Sequence, residues 1–214
     1  MSEPKLKARA IAPVVPGILH WSVRDDRIEF RSDAYAVVTP EGTVLIDPLP
    51  LEEALIPRLG GVIAICITAG FHQRSCWRFR DMTGAPVWVP EACRGLDASA
   101  DHRYEADEWL PGGLRALHAP GPAHLHYAFL LDRGASGAAL FSGDLLIRPD
   151  DDSVFGFVPD KLVENAPRVR ESVRELIEIR PEVLLPAHGA PLATGATDAL
   201  REALLRDARG EGRS

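Results

Sequence analysis

The chain has 214 residues, 46% of them hydrophobic and 26% charged, which predicts one soluble domain with a core large enough to fold without a disulfide or structural metal. Its net charge of −7 disfavours a nucleic-acid partner. No signal-peptide core is present and the longest apolar run, residues 62–67, is too short to cross a bilayer, so we expect a cytoplasmic protein without membrane contact.

The N-terminal half predicts strands that give way to a strand–helix alternation. Residues rich in β-branched and aromatic side chains predict five strands, at 18–23, 35–38, 43–46, 62–68 and 86–89. A helix over 51–59 is predicted to end at Gly60, and a second helix over 75–83 to end at Gly84. Residues 91–107 are polar and predicted to be irregular.

The C-terminal half continues the mixture of strands and helices. Four more strands are predicted, at residues 114–118, 127–131, 138–141 and 183–185. Asn165 is the predicted N-cap of a helix that ends at Pro181, and Thr197 the predicted cap of a last helix. Residues 150–152, all Asp, predict a solvated loop, and residues 210–214 a frayed tail. The pattern indicates an α/β protein whose sheets are covered by helices.

Five short motifs occur in a characteristic order between residues 34 and 191. They are T-V-L-I-D-P at 43–48, I-C-I-T ending at Thr68, H-A-P-G at 118–121, F-S-G-D-L-L at 141–146 and L-L-P-A-H-G at 184–189. Together they resemble the metallo-β-lactamase superfamily. The resemblance implies a single domain over 1–214, folded as an αβ/βα four-layer sandwich with the active site along one sheet edge.

The resemblance also shows which metal ligands are missing. In the family, the strand ending in Thr is followed by H-x-H-x-D-H, and a later T-P-G-H adds one His. The ligand positions that lack a suitable donor here are Ala69, Phe71, Gln73, Arg74 and Pro122. Two family ligands are kept, Asp144 and His188. Because arginine stays protonated, glutamine is a weak ligand and the other three side chains have no donor atom, the usual two-metal site is depleted.

A catalytic zinc needs a third protein ligand. His72 lies one position from a lost ligand, and His124 and His126 are predicted to share one face at the start of a strand. His118 and Asp47 are further candidates from the motifs. The alternative is a metal-free pocket in which these side chains, together with Asp144 and His188, satisfy buried backbone groups.

The substituted segment also suggests an anion site. His72, Arg74 and Ser75 precede a predicted helix start, where unpaired N–H groups and a guanidinium suit a carboxylate or phosphate. The alternative is that Arg74 fills the vacated metal volume and pairs with Asp144.

These features predict a hydrolase-type protein with a depleted metal site that does not work as a two-zinc hydrolase and holds no cofactor. One alternative is a non-catalytic protein that binds a small anion. Another is an esterase-like or thioesterase-like hydrolase with a single Zn, Fe or Mn ion held by Asp144, His188 and one of His72, His124 and His126. The expected partner is a small-molecule substrate or anionic ligand, and dimerisation is common among relatives.

Overall fold

The computed structural model describes residues 3–149 and 154–211, and two β-sheets form its centre. The seven strands of the first sheet are β1 (Ala12–Val15), β2 (Ile18–Asp25), β3 (Phe30–Thr39), β4 (Gly42–Ile46), β5 (Val62–Cys66), β6 (Val87–Pro90) and β7 (His102–Tyr104). The five strands of the second sheet are β8 (Trp109–Leu110), β9 (Leu114–His118), β10 (Tyr127–Leu131), β11 (Ala139–Ile147) and β12 (Val183–His188).

Each sheet combines antiparallel and parallel pairing. The first sheet follows chain order from β1 to β7, antiparallel up to β4 and parallel from β4 to β7. The second sheet has the order β12-β11-β10-β9-β8, with β11 and β12 parallel and the other pairs antiparallel. The parallel strands bring the chain repeatedly to the same sheet edge.

Four layers result from three groups of buried apolar residues. The two sheets face each other over a core that includes Ile46, Tyr104 and Phe129. Helix α1 (Cys76–Thr83) packs through Phe79 on the outer face of the first sheet. Helices α2 (Ala166–Ile177) and α3 (Ala196–Ala208) cover the outer face of the second. The predicted αβ/βα four-layer sandwich is confirmed.

The predicted helix signals were mostly correct. The Asn165 side chain caps α2 by accepting a hydrogen bond from the Arg168 N–H at 3.0 Å, and Gly84 ends α1 in the left-handed conformation. The Thr197 prediction was wrong. Gly195 is the N-cap of α3, and the Thr197 hydroxyl instead donates to the Pro181 carbonyl at 2.7 Å.

Several short elements differ from the prediction. Strands β1, β7 and β8 were not predicted, and the first predicted helix is a 3₁₀-helix, Glu53–Leu59. The predicted Asp loop at 150–152 and the tail residues 212–214 lie outside the described residues. Among the helices of the described segments, none has the length and apolar character needed to span a bilayer.

Candidate metal centre

Polar side chains from both sheets meet at one edge of the sandwich. Asp47 follows β4 and Thr68 follows β5, and these parallel strands end side by side. Asp144 lies within β11, and His188 is the last residue of the neighbouring β12. His72 ends a short 3₁₀ turn that follows β5. The fold therefore collects five of the polar residues near the sequence motifs in one place.

His72, Asp144 and His188 present their ligand atoms to one another. His72 Nε2 lies 3.1 Å from Asp144 Oδ1, and His188 Nε2 lies 3.3 Å from the same oxygen. One ligand atom from each residue falls within 4.8 Å of the others. Asp144 Oδ1 is buried and, apart from these two ion-pair contacts, has no hydrogen-bond partner in the described part of the chain. A buried carboxylate oxygen in this state is suited to a cation.

His72 is oriented from its other ring nitrogen. Its Nδ1 lies 2.8 Å from Thr68 Oγ1 and 3.0 Å from Asp47 Oδ2. Thr68 donates its backbone N–H and its hydroxyl to the two Asp47 oxygens, at 2.8 and 2.6 Å. The hydroxyl proton is thus used, so Thr68 Oγ1 and Asp47 Oδ2 can both only accept from His72, and this network assigns a proton to Nδ1. Nε2 is left to face Asp144, as in a histidine that binds a metal.

His188 is held in the same manner by the first sheet. Its Nδ1 lies 2.7 Å from the Arg31 carbonyl oxygen, to which it donates, so Nε2 faces Asp144. The next residue, Gly189, donates its N–H to Asp33 Oδ2 at 2.6 Å. Asp33 is fully buried in β3, and sequence reasoning missed it. The available signal was the position of this Asp, two residues before the predicted strand at 35–38.

His126 positions Asp144 and does not join the triad. The ring is buried, its Nδ1 donates to the Ala119 carbonyl at 2.8 Å, and its Nε2 accepts the Asp144 N–H at 3.0 Å. Burial lowers the pKa of His126 to about 4, so the ring is neutral at pH 7. With both nitrogens used, it offers a metal no lone pair. A Cβ at Gly143 would lie 2.3 Å from Nε2, so the ring needs glycine there.

The other predicted histidines lie on the surface. His124 and His118 are exposed, and His118 Nε2 donates to the His124 carbonyl at 2.8 Å. His124 and His126 do not share a strand face, because β10 begins only at Tyr127. Within the described residues, the triad is the one group of three His, Cys, Asp or Glu side chains arranged for a metal.

The lost ligand positions have other contacts. Ala69 and Pro122 are buried. Gln73 Oε1 accepts hydrogen bonds from Trp77 Nε1 at 2.9 Å and from the Asp97 N–H at 2.6 Å, which ties the loop to α1. Phe71 is 47% exposed, and its ring packs edge-on against His72. None of these four residues adds a ligand to the triad.

Arg74 and Ser75 are also engaged by the chain itself. Arg74 is buried, and its guanidinium donates to the carbonyls of Asp33 and Asp47 at 2.9 and 3.3 Å. The predicted pairing with Asp144 is therefore replaced by bonds to the backbone. The Ser75 hydroxyl donates to Glu3 Oε1 at 2.8 Å, so a carboxylate of this chain occupies the start of α1.

The buried cluster carries two ionised carboxylates. Burial raises the pKa of Asp144, but His72 and His188 outweigh it and leave that pKa well below its ordinary value. Burial also raises the pKa of Asp47, and His72 and Arg74 lower it by more. Burial lowers the pKa of His72, but Asp144 and Asp47 together outweigh it and the net shift is upward. Positive charge beside the two carboxylates stabilises them, which Arg74 supplies next to Asp47 and which an imidazolium or a metal ion would supply next to Asp144.

The residues present fit a metal ion. Two imidazoles and one carboxylate are a donor set used for zinc and for ferrous iron, with further coordination positions left for water or substrate. Each histidine donates its remaining N–H to a partner, as metal ligands do. His72 is buried, whereas Asp144 and His188 are partly exposed, so the triad is not closed off from solvent.

Comparison with known proteins agrees with the fold. Residues 13–202 match a family model described as the metallo-beta-lactamase superfamily, and no curated protein matches the sequence. The DIM-1 metallo-beta-lactamase is 14% identical, with 94% of this chain and 99% of that one aligned at a TM-score of 0.73. A superfamily protein from the archaeon Sulfolobus tokodaii is 19% identical, over 82% and 79% of the chains, with a TM-score of 0.65. TTHA1623, solved in a di-iron-bound form, is 24% identical over 86% and 95%, with a TM-score of 0.61.

Proposed function

This chain belongs to the metallo-β-lactamase superfamily, and on that premise we propose that it is a hydrolase that works with one metal ion instead of two. The observation that carries the proposal is the convergence of His72 Nε2, Asp144 Oδ1 and His188 Nε2 within 4.8 Å. His72 lies at a position that the family motif does not use, and it supplies the third ligand that Asp144 and His188 lack. We therefore favour the single-metal alternative over our initial expectation of a site without a cofactor.

The contacts of the replaced ligands support one metal and not two. Arg74 is bonded to two carbonyls and Gln73 to α1 and the Asp97 N–H, so neither side chain is available to a second ion. His126, which bonds the Asp144 backbone, uses both ring nitrogens. The buried guanidinium of Arg74 stands at a family ligand position and would repel a second ion held there.

A metal ion held by the triad would lower the pKa of a bound water and polarise a carbonyl, which is the chemistry of ester and thioester hydrolysis. The protein's own contribution is orientation. Asp47 and Thr68 fix the ring of His72, the Arg31 carbonyl fixes that of His188, and His126 holds the Asp144 backbone. Three ligands arranged before binding lose little conformational entropy when they bind.

The metal is proposed to be Zn, Fe or Mn. Imidazole and carboxylate ligands suit each of these ions, and iron belongs in the test because TTHA1623 was solved with two iron ions. The anion-binding alternative has less support, because Glu3 already meets Ser75 and Arg74 is bonded to the backbone. We propose a neutral small-molecule ester or thioester as the substrate.

Hydrolysis of an ester and thioester panel tests this function. Protein purified without chelator and supplied with each metal should hydrolyse at least one member, and removal of the metal by chelator should abolish the activity reversibly. His72→Ala and His188→Ala should lose it, whereas the exposed His124→Ala should retain it. Activity that survives both chelation and His72→Ala would contradict the proposal.

A further inference from the structure

Four aromatic rings form a row through the candidate metal centre. Phe71 packs edge-on against His72 with ring centroids 4.8 Å apart, and Phe30 lies edge-on to His188 at 6.0 Å. The two histidine rings between them are 6.3 Å apart. Each candidate ligand histidine thus has one phenylalanine ring packed edge-on against it.

Phe71 differs from the other members of the row in its exposure. It is 47% exposed, whereas the adjacent His72 is 3% exposed. A single exposed apolar side chain on a protein surface needs no explanation. This ring, however, contacts the proposed ligand His72 directly. It also stands at a position that binds metal in the family motif. An exposed apolar side chain therefore replaces a metal ligand next to the site.

The charged side chain of the same segment is not available to contact a substrate. Arg74, three residues later, is buried and its guanidinium is bonded to the carbonyls of Asp33 and Asp47. The Ser75 hydroxyl is bonded to Glu3. A substrate that approaches His72 along this segment therefore meets an aromatic ring.

We infer that Phe71 determines specificity by contacting an aryl or long acyl group next to the scissile carbonyl of the substrate. The substrate class is then an ester or thioester with an apolar acyl or aryl group. This inference rests on the proposed single-metal function, since the metal would place the carbonyl beside Phe71. Rings prefer edge-on or offset contacts of the kind that Phe71 already makes with His72, so an aryl group is the strongest probe.

Binding of two hydroxamates to the cobalt-loaded protein tests the inference without an activity assay. Benzohydroxamate and acetohydroxamate bind metals through the same two oxygens and differ in the apolar group. Benzohydroxamate should bind about fivefold more tightly in the wild type, a ratio typical of one added ring contact. Phe71→Ala should remove this preference and Phe71→Leu should keep part of it, as followed by the visible cobalt spectrum.

Met82→Ala is the matched control, because Met82 is also 47% exposed but lies at the far end of α1. It should leave the ratio unchanged. If the protein binds cobalt at the triad but shows no preference, or if Phe71→Ala keeps the preference, the inference fails and the single-metal function stands. If His72→Ala does not affect cobalt binding, or no cobalt binds, both fail.

Discussion

At the scale of single residues, the direction of the His72 side chain decides whether this site has two candidate ligands or three. The sequence showed His72 one position from a lost ligand, but neighbouring residues on an extended segment point in opposite directions, so its side chain could not be placed. In the structure, Gly70–His72 form a 3₁₀ turn and not an extended segment. The turn brings His72 Nε2 to 3.1 Å from Asp144 Oδ1.

Asp47→Asn tests the orientation of His72. The amide would place a donor where the carboxylate accepts from His72 Nδ1, and so favour the tautomer in which Nε2 carries the proton. We expect metal affinity to fall about 10- to 100-fold, the usual effect of losing such a partner. Asp101→Asn is the control, because Asp101 also accepts a backbone N–H, that of Val87. Equal metal dissociation constants for the wild type and Asp47→Asn would contradict the assigned role.

Arg74→Ala tests whether this residue supports the fold or binds a ligand. Its guanidinium donates hydrogen bonds to the backbone carbonyls of Asp33 and Asp47 and so links β3 to the turn after β4. Alanine leaves both carbonyls without this donor, so the free energy of unfolding should fall by about 3 kcal/mol, as measured by denaturant titration. Unchanged stability, combined with loss of inorganic phosphate binding, would instead show that Arg74 anchors an anion.

At the scale of secondary-structure elements, periodicity and turn residues predicted most of the strands and helices but not their irregular parts. Strand β11 was predicted to end at residue 141, yet it continues through Asp144 to Ile147 with two register shifts relative to β12. Both shifts fall beside Gly143, which packs against His126, residues 17 positions apart, and such a contact leaves no local pattern. Strands β7 and β8 have only three and two residues, too few for periodicity.

Gly143→Ala should damage both β11 and the candidate metal centre. Gly143 has a φ of 53°, and an added Cβ would lie 2.3 Å from His126 Nε2. The left-handed backbone and the displaced ring should together lower the free energy of unfolding by more than about 2 kcal/mol. Gly156→Ala is the control, since its Cβ would meet nothing within 4 Å and no strained φ is involved. Similar melting temperatures for the two variants would refute this account of β11.

At the scale of the whole molecule, the centre joins the two sheets. His72 follows a strand of the first sheet, whereas Asp144 and His188 belong to the second. The motif resemblance predicted this four-layer arrangement, the sheet edge and two of the candidate ligands. It could not choose His72 from the candidates for a third ligand or identify Asp33, because both depend on contacts between sheets.

Because the ligands come from both sheets, metal should stabilise the complete fold. A ligand that binds only the folded state at a free concentration 100 times its dissociation constant adds about 2.7 kcal/mol. Zinc addition should therefore raise the melting temperature of metal-depleted wild-type protein, and the shift should vanish in His72→Ala. An equal shift in that variant would place the metal elsewhere on the chain.

Metal stoichiometry tests the central claim most directly. Untagged protein purified without chelator and offered zinc, iron and manganese would be measured by elemental analysis, beside His72→Ala, His188→Ala and the surface control His124→Ala. The single-metal account predicts about one equivalent in the wild type and the control, and loss of that equivalent in the other two variants. Two equivalents in the wild type, no metal at all, or one equivalent retained by His72→Ala would contradict it.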